Sequence, residues 1–99
     1  VDEVFGPVLS VIPFKDENEA ISIANNSKYA LAASIWTDNL SQAHRVSDKV
    51  HAGTVSVNTM DAFSPMTPFG GFKQSGFGND LSIHSFDKYT GLKTVWIKY

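Results

Sequence analysis

The sequence predicts an α/β fold in which strands and helices alternate along the chain. Three observations support this: apolar, β-branched runs at residues 8–14 and 31–36, helical periodicity after each of them, and a short alternating run at residues 54–58. Alternation of this kind is typical of largely parallel strands joined by helical crossovers. We therefore expect strand–helix–strand–helix–strand over residues 8–58.

The first strand and helix are predicted from the run VLSVIPF and the residues after it. A run that is nearly all apolar and β-branched is typical of a strand buried on both faces, and Pro13 suggests its end or an edge position. Asp16 fits a helix N-cap, with Glu19 at the capping-box spacing. The helix would carry Ala20, Ile21 and Ala24 on one face and end at residues 25–27.

The second half of the alternation follows the same logic. Residues 31–36 form a strand, residues 37–39 supply the next N-cap, and residues 54–58 form a short third strand. The helix between them carries an apolar face at three- and four-residue spacing: Leu40, Ala43, Val46 and Val50. Gly53 stands where a helix often closes on a left-handed residue.

Residues 59–79 contain four glycines and four phenylalanines, and long loops of this kind are usually functional. A phosphate-binding P-loop is excluded, because Phe77 occupies the position that requires lysine. We expect the glycines to let the backbone turn beside packed aromatic rings. Phe63, Phe69 and Phe72 could form an apolar ligand wall.

After this loop the sequence predicts a short helix and a final strand. Asp80 would cap a helix with Ile83, Phe86 and Tyr89 at threefold spacing. Residues 92–99, LKTVWIKY, alternate as a half-buried strand that needs a partner sheet in this chain or another. We accordingly divide the chain into residues 1–89 and a terminal strand at residues 90–99.

Composition limits the chemistry of the 99 residues. The absence of cysteine excludes disulfides, thiolate zinc sites and a cysteine nucleophile within this chain. The net charge of −2 gives no basis for binding nucleic acid or anionic membranes, and no apolar run reaches a membrane span. The three histidines lack metal-ligand spacing. We predict a cytoplasmic protein without metal, nucleic-acid or membrane partners.

Four segments together resemble the C-terminal part of the aldehyde dehydrogenase superfamily: EVFGPV, YALAASIWT, AGTVSVN and PFGGFKQSGFG. The resemblance covers essentially the whole chain, in order. Residues 80–97 resemble more narrowly bacterial enzymes acting on γ-aminobutyraldehyde derivatives, including γ-glutamyl and guanidino forms. The resemblance to the superfamily implies an oxidoreductase that converts aldehydes to carboxylic acids with NAD or NADP.

The resemblance also implies roles for individual residues. Glu3 matches the glutamate that binds the nicotinamide ribose hydroxyls, and Phe5 the aromatic residue beside the nicotinamide. Asp61, Phe63 and Phe69 match positions that line the substrate tunnel, where Asp61 could favour an amine-bearing substrate. The terminal strand matches the segment that pairs with a neighbouring subunit in these homo-oligomers.

One departure and one absence qualify these implications. The family commonly has Gly-Arg-Glu where this chain has Gly78-Asn79-Asp80. In some relatives that glutamate is linked to proton relay, but for Asp80 we favour a helix-capping role over that one. The family's catalytic cysteine, general-base glutamate and dinucleotide-binding domain all precede this region. We therefore expect a piece of a longer enzyme, with no catalytic residue in this chain and no activity alone. The alternative is a stand-alone α/β binding or assembly module.

Overall fold

The computed structural model describes residues 3–60 and 64–98. Within them two helices pack beside a two-stranded parallel sheet. A second, antiparallel pair of strands joins the glycine-rich loop, residues 68–78, to the rest. The elements in chain order are α1 (Glu17–Asn25), β1 (Tyr29–Ala30), β2 (Ala32–Ile35), α2 (Leu40–Lys49), β3 (Thr54–Val57), β4 (Phe72–Lys73) and a 3₁₀ helix (Ile83–Lys88).

Both α-helices begin at the predicted caps. The Asp16 carboxylate accepts the Glu19 amide at 2.8 Å, which satisfies one of the donors left free at the start of α1. The Asn39 side chain does the same for Gln42 at 2.9 Å and starts α2. Ala43 is buried on the inner face of α2, whereas Leu40, predicted on the same face, is 74 % exposed.

The parallel pairing predicted for the second and third strands is confirmed. β2 and β3 pair in parallel with Ala32 opposite Thr54 and Ile35 opposite Val57, and α2 forms the crossover between them. The β1–β4 pair is antiparallel, with Tyr29 opposite Lys73. Two-residue strands give no hydrophobic alternation, so the sequence pattern could not reveal this pair.

The predicted strand at residues 8–14 is not formed, and its predicted burial is wrong for this chain. The described residues give it no partner strand, and its apolar side chains are exposed, including Leu9 at 87 % and Val11 at 82 %. An apolar run predicts that a segment is buried, but it does not identify the residues that bury it.

Two predicted caps are also wrong. α2 ends on Val50, and Gly53 has no left-handed φ. Asp80 does not cap the following helix, because its backbone exchanges two hydrogen bonds with Phe69 at 2.7 and 2.6 Å. The 3₁₀ helix instead starts at Ser82, whose hydroxyl accepts the His84 amide at 3.2 Å.

The 3₁₀ helix explains the threefold spacing of apolar residues in this segment, since such a helix has three residues per turn. Residues 92–98 form no strand with any part of the chain that the structure describes. Trp96 in that segment is 92 % exposed. Because the expected partner lies in another subunit, the pairing of the terminal strand stays a prediction.

The core of the described residues is very small. Only Ala30 and Ala43 are buried apolar residues, and the radius of gyration is 18.2 Å. A compact domain of this length has a radius of gyration of about 13 Å. In the described residues no helix has the length and apolar character to cross a membrane.

Candidate functional site

The candidate site is an open cleft of about 440 Å³ between β3 and the glycine-rich loop. It is lined by Gly53, Thr54, Val55, Ser56, Thr59, Thr67, Pro68, Phe69 and Leu81. One side therefore presents hydroxyl groups of β3 and the other an aromatic ring with aliphatic neighbours. Such a mixture of apolar walls and few polar groups is typical of small-molecule sites.

The absence of a side chain at Gly53 allows the glycine-rich loop to approach β3 closely. A Cβ added to Gly53 would lie 1.6 Å from the carbonyl oxygen of Gly70, so any side chain there would separate the two segments. The Gly53 amide donates to the Ala30 carbonyl at 3.1 Å and fixes its position. Gly76 and Gly78 have φ of 102° and 90°, which confirms the expectation that glycines turn this loop.

Phe69 is held in the cleft by its backbone. It is half-buried, and its amide and carbonyl both pair with Asp80 across the loop. These two hydrogen bonds join the ends of the segment between Phe69 and Asp80. They fix the backbone of Phe69, from which its ring enters the cleft. Among the described residues, Phe69 is the predicted tunnel residue that lines this cleft.

The middle of the loop is anchored by Lys73. Its ammonium group donates to the carbonyls of Asn25 and Ser27 at 3.1 and 3.0 Å, at the carboxyl end of α1. The Ser75 hydroxyl accepts the Ala30 amide at 2.8 Å. These bonds join the loop to segments more than 40 residues away in sequence.

Asn58 forms a second anchor at the carboxyl ends of the parallel strands, where ligands bind in open α/β sheets. Its side-chain amide donates to the Thr37 carbonyl at 2.8 Å, and its side-chain oxygen accepts the Thr37 amide at 2.9 Å. Asn58 has a φ of 56°, which asparagine tolerates better than most residues. The pair fixes where the chain leaves β3.

The nearby helices are joined by an ion pair. Arg45 binds both carboxylate oxygens of Glu17, at 3.1 and 3.0 Å. The hydrogen bonds from Arg45 lower the pKa of the Glu17 carboxyl below its ordinary value of 4.5, against a smaller opposing effect of desolvation. The pair holds α1 against α2 and contains no group facing the cleft beside Phe69.

Two other predicted site residues, Glu3 and Phe5, do not line this cleft. Glu3 is exposed, and Phe5 is 91 % exposed in the segment before α1. Asp61 and Phe63 lie outside the described residues. No group of histidine, aspartate and glutamate residues within the described parts of the chain could hold a metal ion.

The profile of the aldehyde dehydrogenase family matches residues 1–95. The chain belongs to the aldehyde dehydrogenase family. It is 50% identical over 97 residues to an aminoacetaldehyde dehydrogenase of Pseudomonas aeruginosa, covering 97% of this chain and 20% of that enzyme. The chain thus spans about a fifth of the length of the curated relatives it matches.

Solved structures of the family agree with this assignment. The aldehyde dehydrogenase KauB from Pseudomonas aeruginosa superposes with a TM-score of 0.90 at 57% identity, over 99% of this chain and 20% of that one. An indole-3-acetaldehyde dehydrogenase in complex with NAD+ superposes with a TM-score of 0.89 at 56% identity, over the same shares. The predicted family, α/β class and nicotinamide cofactor of its relatives are confirmed.

Sequence reasoning missed two of the residues that shape the site. Lys73 carries no signal in the sequence pattern, because its partners lie 46 and 48 residues earlier in the chain. Asn58 ends the predicted third strand, and its residue type is itself a signal, because asparagine tolerates a left-handed backbone better than most residues. Both act through backbone groups of distant segments.

Proposed function

We propose that this chain is the C-terminal portion of an NAD(P)-dependent aldehyde dehydrogenase that oxidises an aldehyde to a carboxylic acid. The observation that carries the proposal is the family match, which extends over residues 1–95 and includes the cleft wall at Phe69. In this role the chain contributes two residues to the cofactor site, Glu3 and Phe5, and part of the substrate tunnel.

The residues near the start of the chain suit a nicotinamide nucleotide. Glu3 and Phe5 are both exposed, so their carboxylate and aromatic ring are accessible to a ligand. A carboxylate can accept hydrogen bonds from two ribose hydroxyls, and a ring can pack against an apolar face of the bound group. The cofactor supplies hydride acceptance, while these residues bind and orient it.

The nucleophile must come from outside this chain. The 99 residues contain no cysteine, so no thiolate in them can attack the aldehyde carbonyl. What the described residues offer is substrate positioning, through the ring of Phe69 and the hydroxyl groups across the cleft. We therefore expect the isolated chain to have no dehydrogenase activity.

The exposed apolar surface indicates the remainder of the enzyme as the first partner. A groove of about 380 Å³ runs between α1, α2 and β2, with Phe14 and Trp36 at its sides. Trp36 is 66 % exposed and Phe14 60 % exposed. Surfaces this apolar are normally covered by protein, and the relatives are about five times as long. This exposure disfavours a stand-alone module.

A segment exchange tests the proposal. The matching fifth of the Pseudomonas aeruginosa aminoacetaldehyde dehydrogenase is replaced by this chain, and we call the product the grafted enzyme. We expect NAD(P)-dependent aldehyde oxidation by the grafted enzyme and none by the isolated chain. The control carries the matching segment of the Escherichia coli relative, which is also about one-half identical to this chain. An active control beside an inactive grafted enzyme would refute the proposal.

We propose further that the substrate is an ω-amino or guanidino aldehyde. Asp61 supports this by charge, and the aminoacetaldehyde activity named for one relative supports it by similarity. The indole-3-acetaldehyde named for a solved neighbour is the competing chemistry. In the grafted enzyme, Asp61→Asn should lower kcat/KM for aminoacetaldehyde and leave a neutral aldehyde unchanged. An equal effect on both aldehydes would count against the charge argument.

The terminal segment is proposed to pair with a neighbouring subunit. Val95 and Ile97 alternate with Thr94 and Lys98, and their side chains are 66 % and 75 % exposed. Light scattering of the grafted enzyme with Val95→Asp should show loss of the parental oligomer.

Because NAD(P) is an intracellular cofactor, we also propose a cytoplasmic location for the whole enzyme, testable by cell fractionation.

A further inference from the structure

Lys73 occupies an unusual position for a lysine in a glycine-rich loop. It has a left-handed backbone with a φ of 54°, and its side chain reaches across to the end of α1. There its ammonium group donates to the carbonyls of Asn25 and Ser27. The left-handed conformation is costly for a side-chain-bearing residue, and the two charge-assisted bonds offset that cost.

The sequence of α1 makes this cation significant. Its first turn contains Glu17 and Glu19, but its last turn contains no basic residue. Carbonyl groups at a helix's carboxyl end carry partial negative charge and are stabilised by a cation. Lys73 therefore supplies, from another part of the chain, the charge that α1 lacks.

Asn25 connects this contact to α2. Its side-chain amide donates to the Lys49 carbonyl at 2.9 Å, and its side-chain oxygen accepts the His51 amide at 2.8 Å. The His51 ring in turn stacks on Phe72, with ring centroids 5.1 Å apart. One residue thus joins the ends of both helices, and Lys73 ties the glycine-rich loop to that junction.

We propose that Lys73 is a positioning residue that sets the substrate wall at Phe69. The two residues lie at opposite ends of one short segment, and that segment is pinned at one end by the Lys73 bonds and at the other by the Phe69–Asp80 bridge. The backbone pairing of β4 with β1 and the Gln74 amide bond to the Lys28 carbonyl also hold this segment, so releasing the Lys73 ammonium removes its charged anchor and weakens the others. This inference rests on the proposed function for its catalytic consequence, but not for its structural part.

The test compares Lys73→Met with Lys73→Arg in the grafted enzyme. Methionine keeps an unbranched apolar stem and removes the ammonium, whereas arginine keeps a cation with several donors. Lys15→Met is the matched control, since Lys15 is 82% exposed and lies 3.8 Å from its partner Glu19. Lys73→Met should raise the KM for the aldehyde about tenfold with kcat changed less than about twofold. Lys73→Arg should recover most of that loss, and Lys15→Met should change neither constant.

Amide hydrogen exchange gives a readout that does not depend on activity. Lys73→Met should speed exchange at Gln74, whose amide bonds to the Lys28 carbonyl at 2.7 Å, and at Ala30, whose amide bonds to Ser75. The Asn58 amide, bonded to the Ile35 carbonyl in the parallel sheet, should be unaffected. Uniform acceleration at all three amides, or no change, would overturn the proposal. An inactive grafted enzyme with selective acceleration would instead contradict only the proposed function.

Discussion

Replacing Gly53 by alanine tests how closely the glycine-rich loop must approach β3. The new Cβ would lie 1.6 Å from the Gly70 oxygen and 2.7 Å from its carbonyl carbon, and both are backbone atoms. A Cβ essentially never lies closer than 3.0 Å to such atoms, so the segments must separate by about 1.4 Å, from 1.6 to 3.0 Å. No side-chain rotation can relieve this overlap.

The expected cost has two parts. Forcing atoms into a closely packed contact costs about 1–3 kcal/mol, and the backbone overlap places this case at the upper end. Moving Gly53 also weakens its hydrogen bond to the Ala30 carbonyl, which contributes about 1 kcal/mol. Together these predict about 3–4 kcal/mol of local destabilisation, or a loss of more than about a hundredfold in the closed population of the loop.

Amide hydrogen exchange in the grafted enzyme measures this population directly. The Gln74 amide of Gly53→Ala should exchange about two orders of magnitude faster than in the wild type. Gly91→Ala is the matched control, because a Cβ at Gly91 meets nothing within 4 Å. It should stay within about 0.5 kcal/mol of the wild type. The packing argument would be refuted by equal exchange rates in the two variants.

Three further predictions concern single contacts and are measured on the grafted enzyme. The lowered pKa of Glu17 means that its pairing stabilises the fold above pH 4.5 and that this gain is lost as the pH falls through the lowered pKa. The difference in thermal midpoint between wild type and Arg45→Met should therefore shrink below pH 4.5, and a constant difference would contradict this. Asn58→Asp should cost about 0.5–1.5 kcal/mol at neutral pH, because a carboxylate cannot donate to the Thr37 carbonyl, and a stability equal to wild type would contradict the two-sided bond. Ser82 has φ 55° and ψ 175°, a region that suits glycine, so Ser82→Gly should be more stable than Ser82→Ala by about 1 kcal/mol or more. Equal stability of the two Ser82 variants would argue against backbone strain there.

Local signals in the sequence were sufficient where the structure depends on neighbouring residues. The Asp16 cap and the cap cluster ending at Asn39 are confirmed, because each depends on an amide three residues ahead. The parallel β2–β3 pair is confirmed as well, since the crossover length left few alternatives. These elements fix the class of the fold.

The sequence could not predict contacts between distant segments. The Phe69–Asp80 bridge removed Asp80 from its predicted cap, although Asp80 has the right chemistry for one. The Lys73 contact with α1 depends on backbone carbonyls, which carry no sequence signal. Of the candidate site, only Phe69 was placed in the cleft, by resemblance to the family. The roles of Glu3, Phe5, Asp61, Phe63 and Phe69 stay predictions.

The exposed run at residues 8–14 illustrates a different limit. Its pattern correctly marks an apolar segment, yet only Ala30 and Ala43 are buried apolar residues in the described part of the chain. Hydrophobic stabilisation grows with the apolar area removed from water, so these residues gain little of it by themselves. We therefore infer that this chain requires contacts with the rest of an enzyme to complete its folding.

Urea unfolding of the isolated chain tests that requirement most directly. A self-sufficient domain of this size unfolds in a single sigmoidal transition with a slope of about 1 kcal/mol per molar urea. We predict instead a shallow change in circular dichroism without a defined midpoint, while the grafted enzyme protects the β2 and β3 amides from exchange. A cooperative transition with the full slope in the isolated chain would contradict the account and favour a stand-alone module.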